Sequence, residues 1–112
     1  MAVSHAKPGE IVSVRPLGND LATSRTTTLA KTGDLEIIRL VVPAGKEIPT
    51  HKTPGPVIIQ CLEGRVELSA LGSNHVLEAG QMLHLEADEP HAVRGVEDGS
   101  LLVTILSPRG DE

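Results

Sequence analysis

The chain of 112 residues contains no phenylalanine, tryptophan or tyrosine. Proteins that bind unpaired bases stack them on aromatic rings, and this chain has no such ring to offer. Its net charge of −5 at pH 7 and the absence of a lysine or arginine cluster also exclude the basic surface that nucleic acid or anionic lipid requires. We therefore expect a small molecule or a protein as the partner, with no nucleic acid and no membrane.

Cysteine and long apolar runs are equally scarce. The single cysteine, Cys61, cannot form an internal disulfide, so nothing in the composition indicates an oxidising compartment. No apolar run approaches the length of a membrane span, and the first ten residues lack the apolar stretch of a secretory signal. We expect a cytoplasmic protein.

Short apolar segments separated by turn residues make up most of the chain. They occupy residues 11–14, 35–42, 57–62, 65–69, 75–77, 82–85, 92–93 and 101–106, and many are rich in β-branched side chains. Turn signals lie between them at residues 31–34, 63–64, 71–74, 79–80 and 97–99. A helical turn within residues 20–30 is opposed by the threonine run 26–28. This pattern predicts a β-sandwich or β-barrel.

The length of the chain is typical of one domain. We predict a single domain over residues 1–112, with a barrel core at about residues 25–107 and loose ends. The ends combine proline and glycine, at residues 8–9 and 108–110.

Two segments place histidines among well-spaced glycines. Residues 45–64 run from Gly45 through His51 to Gly64, and residues 80–91 run from Gly80 to His91. In order and spacing they resemble the two sequence motifs of the cupin superfamily, as found in small single-domain cupins. The resemblance covers roughly residues 35–106. It implies an all-β fold, a double-stranded β-helix or jelly-roll β-barrel of two antiparallel sheets.

The resemblance also implies a metal site and shows where this chain departs from it. In the family pattern three histidines and one glutamate hold a divalent metal inside the barrel. His51 matches the first histidine and His91 the third, whereas Thr53 stands at the second histidine and Val57 at the glutamate. The implied metal ligands are therefore His51 and His91 alone. The cofactor is either one divalent transition metal (Zn, Ni, Fe, Mn or Cu) or none.

Alternation along the strands predicts which side chains face the interior. Cys61 shares its side of the strand with Val57 and Ile59, whereas Gln60 faces outwards. His84 and Met82 should likewise point away from the core. The predicted ligand pocket consists of His51, Thr53, Val57, Ile59, Cys61, Leu83, Leu85 and His91, with Leu40 as a further candidate. Such a pocket suits a small, partly apolar molecule.

Two functions remain open at this point. The first is a small-molecule-binding module without catalytic activity, which the replaced ligands Thr53 and Val57 favour. The second is a metal-dependent enzyme of the dioxygenase or isomerase type, using His51 and His91 with water or a distal carboxylate such as Glu86. Without a metal, the two imidazoles could bond to each other or to water, or one could serve as an acid or base near neutral pH. No catalytic residue is assigned.

An exposed sheet edge and an apolar outer face are liabilities of small barrels. Pairing two copies removes both, so we predict a homodimer. Met82 and His84 are candidates for its interface.

Overall fold

The computed structural model describes residues 5–108, and they form seven antiparallel strands after one short 3₁₀ helix. The helix is Gly18–Thr23, and the strands are β1 (Thr27–Lys31), β2 (Leu35–Val42), β3 (Glu47–His51), β4 (Val57–Ala70), β5 (Ser73–Glu78), β6 (Met82–Leu85) and β7 (His91–Leu106). The predicted all-β, antiparallel architecture is confirmed. Across residues 5–108, no helix has both the length and the apolar character needed to cross a membrane.

Strands β4 and β7 form the spine of the fold. They pair along almost their whole length, from Val57 opposite Ile105 to Ala70 opposite His91. The sheet order is β1-β2-β7-β4-β5, while β3 adds to β7 and β6 adds to β4. Each long strand therefore changes its outer neighbour midway, and the two halves of the spine belong to two layers of a jelly-roll barrel.

A bulge lies where the two long strands bend. The sequence predicted a hairpin turn at residues 63–64, and this prediction is wrong because β4 continues through both residues. The register between β4 and β7 shifts at Cys61, Glu63 and Arg65. Gly64 has φ of +77°, and a Cβ there would lie 2.1 Å from the Asp98 carbonyl oxygen. The glycine therefore permits a β-bulge that lies in close contact with β7. The turn predicted at residues 97–99 is also wrong, because these residues lie within β7.

Residues 5–17 form an extended arm, which we call the N-terminal arm. The strand predicted at residues 11–14 is absent, because side chains and not a neighbouring strand hold this part of the arm. The Arg39 guanidinium donates to the carbonyl oxygens of Arg15 at 2.7 Å and Ser13 at 3.2 Å. The helical turn that the threonine run 26–28 opposed is nevertheless present as the 3₁₀ helix Gly18–Thr23, which ends before that run. The predicted loose ends fall partly on residues 1–4 and 109–112, outside the described residues.

Aliphatic side chains fill the space between the layers. The buried cluster consists of Val42, Val57, Ile59, Cys61, Val66, Leu68, Ala70, Leu77, Leu85, Val93 and Leu101. Leu40, Ile48, Leu83, Val103 and Ile105 pack against it. The predicted alternation is confirmed, since Cys61 is buried while Met82 and His84 are exposed.

Candidate functional site

His51 and His91 meet where β3 lies beside β7. His51 ends β3 and His91 begins β7, and their Cα atoms are register partners across the two strands. The ring centroids are 4.3 Å apart, with an angle of 58° between the ring planes. His51 is exposed, whereas His91 is only 4% exposed. The fold thus brings together two histidines that lie 40 positions apart in the chain.

Both imidazoles are oriented in the same way by the backbone. Nδ1 of His51 lies 2.9 Å from the Pro49 carbonyl oxygen, and Nδ1 of His91 lies 2.9 Å from the Glu89 carbonyl oxygen. Because a carbonyl oxygen can only accept, each Nδ1 carries the hydrogen when the ring is neutral. Each Nε2 then presents a lone pair. In the described part of the chain no buried side-chain nitrogen or oxygen lacks a partner, so Nε2 of His91 remains accessible.

Each free Nε2 can accept a hydrogen bond from a molecule with hydroxyl or N–H groups. It can also ligate a divalent metal, because imidazole nitrogens are good ligands for transition metals. Donation of Nδ1–H to a backbone carbonyl is also the usual orientation of a metal-binding histidine. Within residues 5–108, however, no group of three or more histidine, cysteine, aspartate or glutamate side chains could hold a metal. The described residues supply two ligands, fewer than the three usual in catalytic zinc sites.

The two replaced ligand positions are occupied by side chains with other contacts. The Thr53 hydroxyl donates to the Gly55 carbonyl oxygen at 2.8 Å, and the Thr53 carbonyl oxygen accepts the Asp88 amide at 2.8 Å. Thr53 therefore holds together the loop that follows β3. Val57 is 1% exposed and belongs to the hydrophobic core.

The other predicted pocket residues lie in or against the same core. Val57 pairs with Leu85 and Ile59 pairs with Leu83 across β4 and β6, while Leu40 packs against the cluster from β2. The structure therefore divides the predicted site into an imidazole pair at β3–β7 and an aliphatic cluster at β4–β6.

Cys61 belongs to this aliphatic cluster. Its thiol contacts the carbonyl oxygens of Glu63 at 3.4 Å and Gly64 at 3.7 Å. Burial raises the pKa of the Cys61 thiol above its ordinary value of 9.0. It therefore acts as a small hydrophobic side chain at neutral pH.

A cavity of about 200 Å³ lies beside the histidine pair. Its lining includes chain neighbours of the two histidines, Thr50 and Ala92, together with Glu67 and Arg94. Because side chains alternate along a strand, we place this cavity on the face of β3 and β7 opposite the imidazoles. Thr53 lines a different cavity of about 330 Å³, with Leu35 and Ile105.

Glu89 has a role that its place in the sequence does not indicate. Its carbonyl oxygen accepts from His91, while its carboxylate accepts the Leu71 amide at 3.2 Å. Glu89 thereby ties the β4–β5 turn to the orientation of His91. No side-chain pattern could have revealed this, because the contact to the histidine is made by the backbone.

A polar cluster on the outer face was also missed. The Glu63 carboxylate accepts the amides of Leu17 at 2.8 Å and Gly18 at 3.0 Å, together with the Ser100 hydroxyl. Burial acts to raise the pKa of Glu63. The three hydrogen bonds and the charge of Arg39 outweigh burial, so the pKa lies below its ordinary value of 4.5. This cluster fastens the N-terminal arm and is separate from the imidazole pair.

Comparison with known proteins places this geometry in a family. The family model described as "Cupin domain" matches residues 38–107. No match is found among curated proteins.

Solved structures agree on the fold. The conserved protein SPY1581 of unknown function from Streptococcus pyogenes is 21% identical, with a TM-score of 0.74, covering 98% of this chain and 97% of that one. The cupin superfamily protein DSY2733 from Desulfitobacterium hafniense is 17% identical, with a TM-score of 0.72 and coverage of 86% and 94%. An RmlC-like cupin from Desulfovibrio desulfuricans is 25% identical, with a TM-score of 0.68 and coverage of 97% and 100%.

Proposed function

This chain belongs to the cupin domain family, and from that premise we propose that it binds a small molecule through the imidazoles of His51 and His91. The observation that carries the proposal is the pair of Nδ1–carbonyl hydrogen bonds, which leaves Nε2 of each ring free while the ring centroids are 4.3 Å apart. The ligand must therefore present hydrogen-bond donors, such as hydroxyl, amide or ammonium groups.

The family's ligand positions support binding over catalysis. Thr53 and Val57 stand where the resemblance places a histidine and the glutamate, and neither supplies a charged or imidazole ligand. A metal held by two imidazoles lacks the Coulomb contribution of a carboxylate, which weakens its binding. We therefore propose a binding or ligand-sensing cupin without a catalytic metal centre.

A metal-dependent enzyme of the dioxygenase or isomerase type is the second candidate. It is favoured by the orientation of the imidazoles, because donation of Nδ1–H to a carbonyl is how metal-binding histidines are usually held. In that case His51 and His91 would hold one divalent metal, with water or a substrate carboxylate completing its coordination. The metal would act as a Lewis acid on a bound oxygen.

Elemental analysis separates the two candidates. Untagged protein, purified without chelator, is compared with His51→Ala and His91→Ala. His84→Ala is the matched control, since His84 is exposed on the outer side of β6. Binding without metal predicts far less than one metal per chain in all four proteins. Near one metal per chain, retained in His84→Ala and lost in the other two, would establish the metal centre instead.

Ligand binding is then tested by nitrogen-15 NMR of the imidazoles. Monosaccharides and short hydroxy acids are titrated in the presence of a chelator. We expect at least one of these compounds to shift the Nε2 signals of both His51 and His91 and to leave His84 unchanged. If none of these compounds shifts the Nε2 signal of His51 or His91, the proposal that such donor-bearing ligands bind at the histidine pair is wrong.

A further inference from the structure

Negative charge is concentrated on the loop that precedes His91. Residues 66–93 contain five carboxylates and no lysine or arginine. Two of these carboxylates form ion pairs with the arginines on either side of this range, Arg65 at 2.8 Å and Arg94 at 3.4 Å. The other three lie between β6 and β7, in residues 86–90, which we call the acidic loop: Glu86, Asp88 and Glu89. Within residues 5–108 none of these three takes part in an ion pair.

Backbone hydrogen bonds hold the acidic loop beside the imidazole pair. The Asp88 amide donates to the carbonyl oxygen of Thr53 at 2.8 Å, two residues after His51. The Glu89 carbonyl oxygen lies 2.9 Å from Nδ1 of His91. Asp88 and His91 are three residues apart in the chain, so their Cα atoms lie within about 11 Å of each other. This is close to the Debye length of about 10 Å at 0.1 M salt, so the charge of the loop acts on a molecule bound at the pair.

Two carboxylates of the acidic loop are open to a ligand. The carboxylate of Glu89 accepts the Leu71 amide, whereas no described residue donates a hydrogen bond to the carboxylate of Glu86 or Asp88. Both of these side chains are exposed. Asp88 has φ of +66°, a conformation that favours glycine and that aspartate tolerates. The loop therefore displays two carboxylates that have no partner in the described part of the chain.

His91 points to a ligand independently of the loop. Its side chain is 4% exposed and its Nδ1 is engaged, but Nε2 has no hydrogen-bond partner among the described residues. This lone pair accepts a donor from a bound molecule. One metal ion does not serve the imidazoles and the loop together, because within residues 5–108 no group of three or more histidine, cysteine, aspartate or glutamate side chains could hold it. An N–H donor that carries a positive charge satisfies both.

We propose that the ligand of the imidazole pair is a small amino alcohol, an organic ammonium compound with a hydroxyl group; this inference rests on the proposed function of binding at His51 and His91. The ammonium group supplies N–H donors for Nε2 and balances the charge of the acidic loop. Lys52 is the only lysine or arginine in residues 47–64, so three loop carboxylates leave an excess of negative charge. The same excess repels carboxylate ligands and adds nothing to the binding of a neutral polyol.

Three two-carbon compounds test this preference for positive charge. Ethanolamine, ethylene glycol and glycolate each carry a hydroxyl group, and at neutral pH they are positively charged, neutral and negatively charged. Each compound is titrated into the full chain with chelator present, and nitrogen-15 NMR of the Nε2 signals gives its dissociation constant. We expect ethanolamine to bind about 10-fold more tightly than ethylene glycol, and glycolate to bind most weakly. The signal of the exposed His84 should not shift.

A double variant, Glu86→Gln with Asp88→Asn, tests whether the acidic loop is the source of the preference. Asparagine also tolerates the positive φ at position 88, so the loop should keep its conformation. We expect ethanolamine to bind about 10-fold more weakly to this variant, with ethylene glycol unchanged. Circular dichroism checks that the variant is folded.

The matched control is Asp20→Asn with Glu97→Gln, which removes the same charge elsewhere. Both side chains are exposed. Asp20 lies in the 3₁₀ helix, and Glu97 lies six residues after His91, about 20 Å further along β7. Affinity for ethanolamine should change by less than about 2-fold in this control, because charges beyond the Debye length are screened.

The outcomes separate this inference from the proposed function. Equal affinity for ethanolamine and ethylene glycol, or an equal loss in the two double variants, would overturn the inference and leave binding at the pair intact. A shift of the Nε2 signals by monosaccharides but not by ethanolamine would do the same. If neither the monosaccharides nor any of the three two-carbon compounds shifts these signals, the inference and the proposed function are both wrong.

Discussion

Ser100 on β7 donates its hydroxyl hydrogen to the carboxylate of Glu63 on β4, directly beneath the end of the N-terminal arm. The same carboxylate accepts the amides of Leu17 and Gly18, and the charge of Arg39 acts on it from β2. One carboxylate thus connects both long strands to the segment that precedes β1.

We expect this connection to weaken in acid. Because the pKa of Glu63 is lowered in the folded chain, its contribution to stability is complete above the unfolded value of about 4.5 and is lost as the pH falls through the folded value. Glu63→Gln should lower the free energy of unfolding by about 1–3 kcal/mol at pH 7. Urea denaturation between pH 7 and pH 3 should show a weaker acid dependence in this variant.

Glu97→Gln is the control for that series. Glu97 is exposed and makes only a 3.6 Å contact with Arg65. Its replacement should change stability by less than about 1 kcal/mol. Parallel acid profiles for wild type and Glu63→Gln would show that Glu63 has an ordinary pKa.

Gly64→Ala should be far more damaging than Gly80→Ala. Both glycines have positive φ, +77° and +90°, so both variants lose about 1–2 kcal/mol to backbone strain. Only at Gly64 would the new Cβ meet the Asp98 carbonyl, at 2.1 Å, while at Gly80 nothing lies within 4 Å. We expect a total loss of about 2–5 kcal/mol at Gly64. Equal losses in urea denaturation would rule out the close approach of β4 and β7 as the reason for this glycine.

Leu71→Asn should stabilise the protein. Leu71 and Gly72 form the two-residue connection between Ala70 and Ser73, with φ of +56° and +75°, the pattern of a type I′ turn. Leucine is strained at such a φ, and asparagine tolerates it well, so we expect a gain of about 1 kcal/mol. Leu71→Ala keeps the strain and should show no gain. Thermal denaturation distinguishes these results, and a loss in Leu71→Asn would indicate that the leucine side chain makes a contact that outweighs the strain.

Val57→Glu tests whether the family's ligand position is preserved in space. With chelator present, the new carboxylate lies in the core without a partner and should cost about 3–5 kcal/mol. Zn²⁺ should recover part of this loss if position 57 faces the free Nε2 atoms of His51 and His91. Ile59→Glu is the matched control, also buried in β4, and Zn²⁺ should not rescue it. If Zn²⁺ recovers the stability of both variants equally, or of neither, the correspondence between Val57 and the family's glutamate is contradicted.

Cys61 should react with thiol reagents only when the protein opens. Its side chain is fully buried, and burial raises the pKa of its thiol. Labelling is therefore limited both by access of the reagent to the sulfur and by the small fraction of thiolate. We expect iodoacetamide labelling at pH 8 to be at least 100-fold slower in native protein than in urea. Labelling at similar rates under the two conditions would mean that the β4 bulge opens readily.

Alternation and turn residues determined much of the fold in advance. Residues 35–42 and 82–85 coincide with β2 and β6, and the inward direction of Cys61 and Leu85 followed from the two-residue repeat of a strand. These features are local, because a strand that buries one face must alternate whichever strand lies beside it. The glycines and histidines of two segments further indicated a cupin, and residues 38–107 match that family.

Only the tertiary structure decided the roles of the residues that the sequence pattern singled out. The sequence indicated a positive φ at Gly64, but whether it served a turn or a bulge depended on Asp98 of β7, which lies 34 positions further along the chain. His51 and His91 were recognisable as candidates, whereas their orientation comes from two backbone carbonyls that no side-chain pattern encodes. Arg39 lay in a predicted strand and Glu63 at a predicted turn, and only the fold brings both of them to the N-terminal arm. Local geometry can be read from neighbouring residues, but contacts between distant segments depend on how the strands are ordered in space.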